Sequence, residues 1–140
     1  MRVKVKKMHP AAMMPTKGTA GSAGFDLYAT SKDFDRKSGT WVYGTGLAFE
    51  IPAGHVGYVF PRSSICRTGS RMSNCVGVID SDYRGEVRLV FDYRGPAGGY
   101  EIGDRVGQMV IMKVPAVEYV EAEELTETER GNGGYGSTGR

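Results

Sequence analysis

Hydrophobic and polar residues alternate along much of the chain, and a period of two is typical of β-strands that turn one face to a core. The clearest alternating rows span residues 2–6, 86–93 and 106–114. Four further runs are rich in β-forming residues: Trp41–Tyr43, Leu47–Ile51, Val56–Phe60 and Val117–Val120. No stretch of a dozen residues has helical periodicity, so we expect only one or two helical turns around Ser63–Ser70. The pattern predicts an all-β fold, a jelly-roll or distorted β-barrel of many short strands.

Composition narrows the class of protein further. The 140 residues suffice for one domain, and 21 are glycine, which indicates tight turns or backbone that approaches a ligand closely. A net charge of +2 with no basic run argues against a nucleic-acid-binding protein. Two cysteines are too few for a disulfide scaffold, and two histidines argue against a zinc site. The sequence contains no long apolar stretch, so it gives no indication of a membrane partner. We therefore expect a soluble cytoplasmic protein, or a nuclear one if its source is eukaryotic.

The last fifteen residues, 126–140, differ from the rest because Tyr135 is their only aromatic residue and they contain no aliphatic residue beyond threonine. We therefore predict a β-barrel domain over residues 1–125 and a glycine-rich C-terminal arm over 126–140. Glycines expose backbone N–H groups that bind anions, and Arg130 adds a fixed positive charge. One hypothesis is that the arm closes over a phosphorylated, aromatic ligand; the alternative is a disordered tail.

Polar residues directly follow the predicted strand Val56–Phe60, in the order Pro61-Arg62-Ser63-Ser64. Loops at strand ends often carry function, and an arginine followed by serine hydroxyls is suited to binding phosphate oxygens. The alternative is a plain strand exit with an exposed arginine.

The segment Asn74–Glu86 contains a second candidate site. Gly77 lies among β-branched residues, which suggests a bulge or a close approach to a ligand. Asp80 and Asp82 are two positions apart, on one side of an extended chain, and a carboxylate in a site deprotonates water. The same residues also suit a tight turn, and the two interpretations are compatible.

Two isolated polar residues complete the candidates. Asp26 lies between apolar neighbours, and Gln108 is expected on one strand face with Val106 and Val110. Residues of this kind are usually satisfied structural groups.

These five pieces occur in a specific order, which reads AGFDLYA, PRSSICRTG, NCVGVIDSDYRGEV, RVGQMVI and RGNGGYGSTG. The series resembles the five ordered motifs of the dUTPase family and runs from Ala23 to Gly139. The resemblance implies a β jelly-roll that forms a homotrimer with three shared active sites. It also implies magnesium-dependent hydrolysis of dUTP to dUMP and pyrophosphate, which keeps uracil out of DNA and supplies dUMP for thymidylate synthesis.

The resemblance assigns a role to each matching residue. Asp80 matches the general base that activates the water attacking the α-phosphorus. Tyr83 matches the aromatic residue that packs under the deoxyribose and excludes a 2′-hydroxyl. Uracil binding is implied for Asn74 and the following hairpin backbone, Gly77, Val78 and Ile79. Phosphate contacts are implied for Arg62, Ser63, Ser64 and Gln108.

The remaining implied roles concern the metal and the arm. Asp26 matches the carboxylate that holds Mg²⁺ through a water molecule. Arg130 matches the γ-phosphate contact of the arm, Tyr135 its stacking ring, and Gly136 with Ser137 its phosphate-binding backbone.

The sequence departs from the family pattern at three positions. Ser64 stands where many members have glycine, Gly107 replaces a usual alanine, and Tyr135 replaces a usual phenylalanine.

Two alternatives remain for the function. A dCTP deaminase is a relative on the same fold, but its catalytic glutamate aligns with Val90 here. A nucleotide-binding regulatory protein on the dUTPase fold would keep the pocket without the reaction.

Overall fold

The computed structural model describes residues 1–93 and 99–134, and their regular structure is almost entirely β. A short 3₁₀ helix at Ser63–Arg67 matches the predicted helical turns. The ten strands of the described residues are β1 (Lys4–Lys7), β2 (Phe25–Tyr28), β3 (Ser31–Asp35), β4 (Thr40–Gly44), β5 (Leu47–Glu50), β6 (His55–Phe60), β7 (Ser70–Met72), β8 (Gly77–Ile79), β9 (Arg88–Tyr93) and β10 (Arg105–Lys113). The all-β prediction is confirmed.

The strands form three antiparallel sheets with open edges. One sheet has the order β2-β10-β6-β8, a second has the order β3-β4-β9-β7, and β1 pairs with β5 in a two-stranded ribbon. We predicted a jelly-roll or a distorted β-barrel. The described strands do not close into a continuous barrel, so the fold is of the jelly-roll type. Within the described residues, no helix is long and apolar enough to cross a membrane.

The core lies between the sheets and follows the predicted alternation. Val87, Leu89 and Phe91 are each at most 1% exposed, and Tyr43 of the neighbouring strand packs edge-on against the Phe91 ring. The ribbon contributes Leu47 and Phe49 to the same core. Burial of these apolar side chains is the main stabilising contribution in such a small domain.

The predicted single row of core residues in β10 is wrong. The register shifts between Arg105 and Gly107, and the buried residues are Val106, Gly107 and Met109, with Val106 and Met109 at 0% and 3% exposure. A β-bulge adds one residue to a strand and exchanges the faces beyond it. Gln108 therefore does not share the core face with Val106.

The run Val117–Val120 is not a strand, contrary to prediction. After β10 ends at Lys113, residues 114–134 form no strand, and Tyr119 and Val120 are 95% and 78% exposed. An alternating run needs the free edge of another strand to pair with. Among the described residues, this segment pairs with no strand edge.

Candidate functional site

Asp26 is the centre of a charged cluster where β2, β6 and β10 meet. Its Oδ1 accepts a hydrogen bond of 2.9 Å from Arg62 Nε, and its Oδ2 accepts one of 3.3 Å from Arg105 Nη1. Its side chain is only 12% exposed, whereas those of Arg62 and Arg105 are 25% and 47% exposed. Two guanidinium groups share one carboxylate, so the cluster keeps one net positive charge that attracts anions.

Gln108 joins this cluster because β10 pairs it with Asp26 on one side and Phe60 on the other. Its amide Nε2 donates to the carbonyl of Pro61 at 3.2 Å. Gly24 makes room for it, since a Cβ there would lie 2.6 Å from Gln108 Oε1. The structure thus brings Asp26 and Gln108 together with the segment that follows β6.

That segment begins the 3₁₀ helix, with Arg62 as the extended residue before it. Arg62 Nη1 donates to Ser64 Oγ at 3.4 Å, while Ser63 is exposed to solvent. We call Asp26, Arg62, Ser64, Arg105 and Gln108 the anion cluster. It gathers residues from three predicted motifs.

The second candidate region is the hairpin that contains β8. Asn74 is exposed, and Gly77 is buried where a Cβ would lie 3.2 Å from Val59 Cβ of β6. The close approach predicted at Gly77 is therefore to β6. Val78 is 59% exposed, so this short strand presents one face to solvent.

Asp80 ends the hairpin in a turn. The backbone N–H of Tyr83 donates to the Asp80 carbonyl at 3.2 Å, so Asp80 and Asp82 do not lie on an extended chain as one interpretation predicted. The Tyr83 hydroxyl donates to the Glu86 carbonyl at 3.1 Å. Gly85 is required beside the ring, because a Cβ there would overlap Tyr83. The turn fixes the Tyr83 ring relative to Asp80.

Asp80 and Tyr83 border a cavity of about 370 Å³ between the hairpin and the sheet that contains β4 and β9. The residues around it are Val42, Val78, Ile79, Asp80, Tyr83, Glu86, Val87, Arg88 and Val90. The volume is within the range of small-molecule sites. Asp80 is an exposed carboxylate at the edge of a cavity that Glu86 and Arg88 also line.

The two regions do not meet within one chain. Ile79 pairs with Gly57 near the start of β6, whereas Arg62 follows the end of that strand. Five residue steps along an extended strand span roughly 16 Å. Asp80 and the anion cluster therefore lie at opposite ends of β6.

The arm is described only in part. Its backbone makes two successive turns, in which Gly131 N–H donates to the Thr128 carbonyl and Gly133 N–H donates to that of Arg130, both at 3.0 Å. Arg130 is exposed. The candidates Tyr135, Gly136 and Ser137 lie outside the described residues.

Asp26 suits an indirect role with a metal better than a direct one. The described residues contain no group of three or more His, Cys, Asp or Glu side chains that could hold a metal ion. Each oxygen of Asp26 accepts one hydrogen bond and retains capacity for another, so it can accept from a metal-bound water. Mg²⁺ commonly keeps several waters and takes substrate phosphates as ligands. The residues fit Mg²⁺ held mainly by a phosphate ligand.

Arg105 was missed as a functional candidate, although it opens the fourth motif. Its place at the start of that motif was the available signal. The register shift that follows it depends on the partner strand and is not visible in the sequence. The ion pair with Asp26 shows where it points.

An antiparallel β fold with an anion cluster and a hairpin cavity defines a protein class that binds a phosphorylated ligand. A sequence model of the dUTPase family matches residues 11–139. The chain is 40% identical over 142 residues to the deoxyuridine 5'-triphosphate nucleotidohydrolase of Nautilia profundicola, covering 100% of both chains. It is 40% identical over 136 residues to the probable enzyme of the same name from Schizosaccharomyces pombe, covering 96% of each. The chain belongs to the dUTPase family.

Solved structures agree with this fold. A point mutant of the dUTPase of Staphylococcus bacteriophage 80alpha, determined with dUpNHpp, matches with a TM-score of 0.82 at 22% identity, and the match covers 99% of both chains. A point mutant of a dUTPase from phage phi11 of S. aureus, whose structure describes a structural Mg(II) ion, matches with a TM-score of 0.73 at 22% identity. That match covers 89% of this chain and 98% of the phage chain.

Proposed function

We propose that the protein hydrolyses dUTP to dUMP and pyrophosphate. The observation that carries the proposal is the anion cluster, in which one net positive charge and two amide or hydroxyl groups converge at the end of β6. Its residues come from three of the ordered family motifs. The deaminase alternative is not favoured, because Val90 supplies no carboxylate to the cavity.

The hairpin suits recognition of the base. In the described sheet, β8 pairs with β6 on one side and leaves its other backbone edge free. The backbone N–H and C=O groups on this free edge, which come from alternate residues of Gly77, Val78 and Ile79, together with the exposed amide of Asn74, match the donor and acceptor pattern of uracil. Cytosine has the opposite pattern at position 4, and a mispaired buried polar group costs about 1–3 kcal/mol. The extra methyl group of thymine is excluded only by a tight pocket.

The sugar and the phosphates of the nucleotide are bound by residues next to the base site. The Tyr83 ring, held by its hydroxyl and by Gly85, supports the deoxyribose and leaves no space for a 2′-hydroxyl. Arg62, Ser63, Ser64 and Gln108 hold the phosphate oxygens by charge-assisted hydrogen bonds.

Asp80 is the general base. It takes a proton from a water molecule, whose oxygen bonds to the α-phosphorus while the bond from that phosphorus to the bridging oxygen breaks. The pyrophosphate carries away the bond electrons, and dUMP retains the new oxygen. Asp26 would hold Mg²⁺ through a water molecule, and the metal, when bound to the triphosphate, would neutralise its charge and orient it.

The active form is a homotrimer with shared sites. Asp80 and the anion cluster are roughly 16 Å apart along β6. A water molecule activated by Asp80 therefore cannot reach a phosphate that is held by the anion cluster of the same chain. The exposed apolar residues of the segment after β10, including Val117, Tyr119 and Leu125, indicate a surface that another copy covers. The base site of one copy then faces the anion cluster of a second.

The arm completes the site. Residues 126–140 are proposed to extend from the barrel domain, residues 1–125, to the site of a neighbouring pair of copies. There Arg130 contacts the γ-phosphate, Tyr135 stacks on the base, and Gly136 with Ser137 binds phosphate.

The exposed, free Cys66 and Cys75 are compatible with a reducing cytoplasm.

Pyrophosphate release with Mg²⁺ tests the proposal directly. We expect fast release from dUTP and little from dCTP, dTTP or UTP, and loss of release in Asp80→Asn. Asp82→Asn is the matched control, since it changes an exposed carboxylate of the same turn and should leave most activity. Omission of Mg²⁺ with EDTA should lower the rate strongly. Absence of release by the intact protein would refute the enzyme assignment and favour a nucleotide-binding regulator.

A further inference from the structure

Tyr100 is a buried residue of the core whose ring is fixed on two sides. It packs edge-on against Tyr43 and Phe91, with ring centroids 6.0 and 5.4 Å away. The Tyr43 hydroxyl donates to the Tyr100 carbonyl at 3.0 Å and accepts from its N–H at 3.2 Å. Ring and backbone are therefore held in one position.

The hydroxyl of Tyr100 has no hydrogen-bond partner among residues 1–93 and 99–134. Among the described residues it is the one buried side-chain polar atom in this condition, although the residue is only 5% exposed. A buried hydroxyl without a partner costs free energy, and such exceptions in folded proteins call for an explanation.

The surroundings of the hydroxyl include the anion cluster. Burial raises the pKa of Tyr100, while the nearby Arg62 charge and Ser64 hydroxyl act in the opposite direction. The hydroxyl is thus protonated at neutral pH. It lies near enough to Ser64 for the serine hydroxyl to lower its pKa, although the two groups do not meet hydrogen-bond geometry. Ser64 itself is held only by the long bond of 3.4 Å from Arg62 Nη1.

We propose that Tyr100 is a positioning residue that acts on the bound triphosphate through Ser64. When a phosphate oxygen lies at Arg62, the Ser64 O–H donates to that oxygen, and Ser64 Oγ accepts a hydrogen bond from the Tyr100 O–H. A serine hydroxyl donates one bond and accepts two, so it can serve both partners at once. The proposal rests on the proposed function, because it requires a phosphate at the anion cluster.

The unpaired hydroxyl is then a feature of the free protein alone. Its cost is removed when the ligand orders Ser64, so the relief adds to affinity for the triphosphate. Chained hydrogen bonds also polarise one another in a setting of low dielectric. Tyr100 touches no substrate atom and so affects binding only through Ser64.

Tyr100→Phe is the direct test, because it removes the hydroxyl and keeps the ring. We expect the free variant to unfold at the same temperature as the wild type or at a higher one. Its Kd for the analogue dUpNHpp should rise about three- to tenfold. In steady state, KM should rise with kcat nearly unchanged, as for loss of uniform binding.

Two further variants make the test specific. In a Ser64→Ala background, Tyr100→Phe should leave the Kd for dUpNHpp unchanged, since the intermediary is missing. Tyr43→Phe is the matched control: it also removes a buried tyrosine hydroxyl, but a bonded one, and should lower the unfolding temperature of the free protein.

The outcomes separate the two proposals. If the wild type binds dUpNHpp and hydrolyses dUTP, but Tyr100→Phe binds equally well, Tyr100 has no positioning role. The same conclusion follows if the loss persists fully in Ser64→Ala, or if Tyr100→Phe destabilises the free protein. If the wild type binds no dUpNHpp and hydrolyses no dUTP, the proposed function fails and the positioning role fails with it.

Discussion

Arg62 and Asp26 are 36 positions apart in the chain, yet Arg62 Nε lies 2.9 Å from Asp26 Oδ1. The contact joins the end of β6 to β2 across β10, which lies between them in the sheet. Because Arg105 contacts the second oxygen of the same carboxylate, Asp26 fixes the direction of both arginines. The proposed metal-linked role of Asp26 would therefore add to a structural one.

Replacement of Asp26 by asparagine should separate these two roles. The change leaves two arginines without a counter-charge, and we expect the free energy of unfolding to fall by about 1–3 kcal/mol, less than for a fully buried pair. Urea unfolding measures this. Asp33→Asn, which alters an exposed carboxylate on β3, is the control and should change little. An equal effect of both substitutions would mean that the ion pairs contribute nothing.

Gly107 should not tolerate alanine, although alanine is usual there in the family. A Cβ would overlap Leu89 Cδ2 and lie 3.1 Å from the Phe60 carbonyl oxygen. We expect Gly107→Ala to destabilise the fold by about 1–3 kcal/mol through overpacking, as measured by thermal or urea unfolding. Gly21→Ala is a control, since its Cβ would have no neighbour within 4 Å. Leu89→Val combined with Gly107→Ala should recover part of the loss; no recovery would argue against this contact as the cause.

Two truncations should distinguish the arm from the apolar segment before it. A chain that ends at Leu125 keeps that segment and should assemble and fold normally. It should lose roughly 100-fold in dUTP hydrolysis, because a charged contact and a stacking ring are removed. A chain that ends at Lys113 should instead sediment as a monomer. Trimers formed by the shorter chain would refute the role of residues 114–125 in assembly.

Alkaline stability should depend on the two tyrosines of the core. Burial raises the pKa of both Tyr43 and Tyr100 above the ordinary value near 10. Below pH 10 both hydroxyls are neutral in the folded and unfolded chains, so their contribution is fully present. As pH rises above 10, the unfolded chain loses protons first, and stability falls until the folded pKa values are passed. In urea unfolding between pH 9 and 11.5, Tyr100→Phe should make this decline shallower by up to about 1.4 kcal/mol per pH unit. An unchanged slope would contradict the assignment.

Much of the fold could be predicted from the period of two. The buried row Val87, Leu89 and Phe91 is long and flanked by turns, so its inward face was unambiguous. Strands of three to five residues, such as β7 and β8, are too short for a period to be detected. The bulge before Gly107 was also hidden, because a one-residue register shift depends on the partner strand.

The site could be predicted as a set of residues but not as an arrangement. Ordered motifs indicated Asp26, Arg62 and Gln108, and the structure brings these three together. The separation of Asp80 from them depends on the antiparallel direction of β8 against β6, which no local pattern reveals. The hydroxyl of Tyr100 was overlooked because an isolated aromatic residue normally indicates only packing.

The division of the site between the two ends of β6 has a genetic consequence. Suppose that each active site takes its general base, Asp80, from one copy and its anion cluster from another. Trimers of the Asp80→Asn chain alone are then inactive, and so are trimers of the Arg62→Gln chain alone. Co-assembled, the two defective alleles would rebuild some intact centres, in which both needed side chains come from different parents. A heterozygous cell would then retain enzyme that neither homozygote makes.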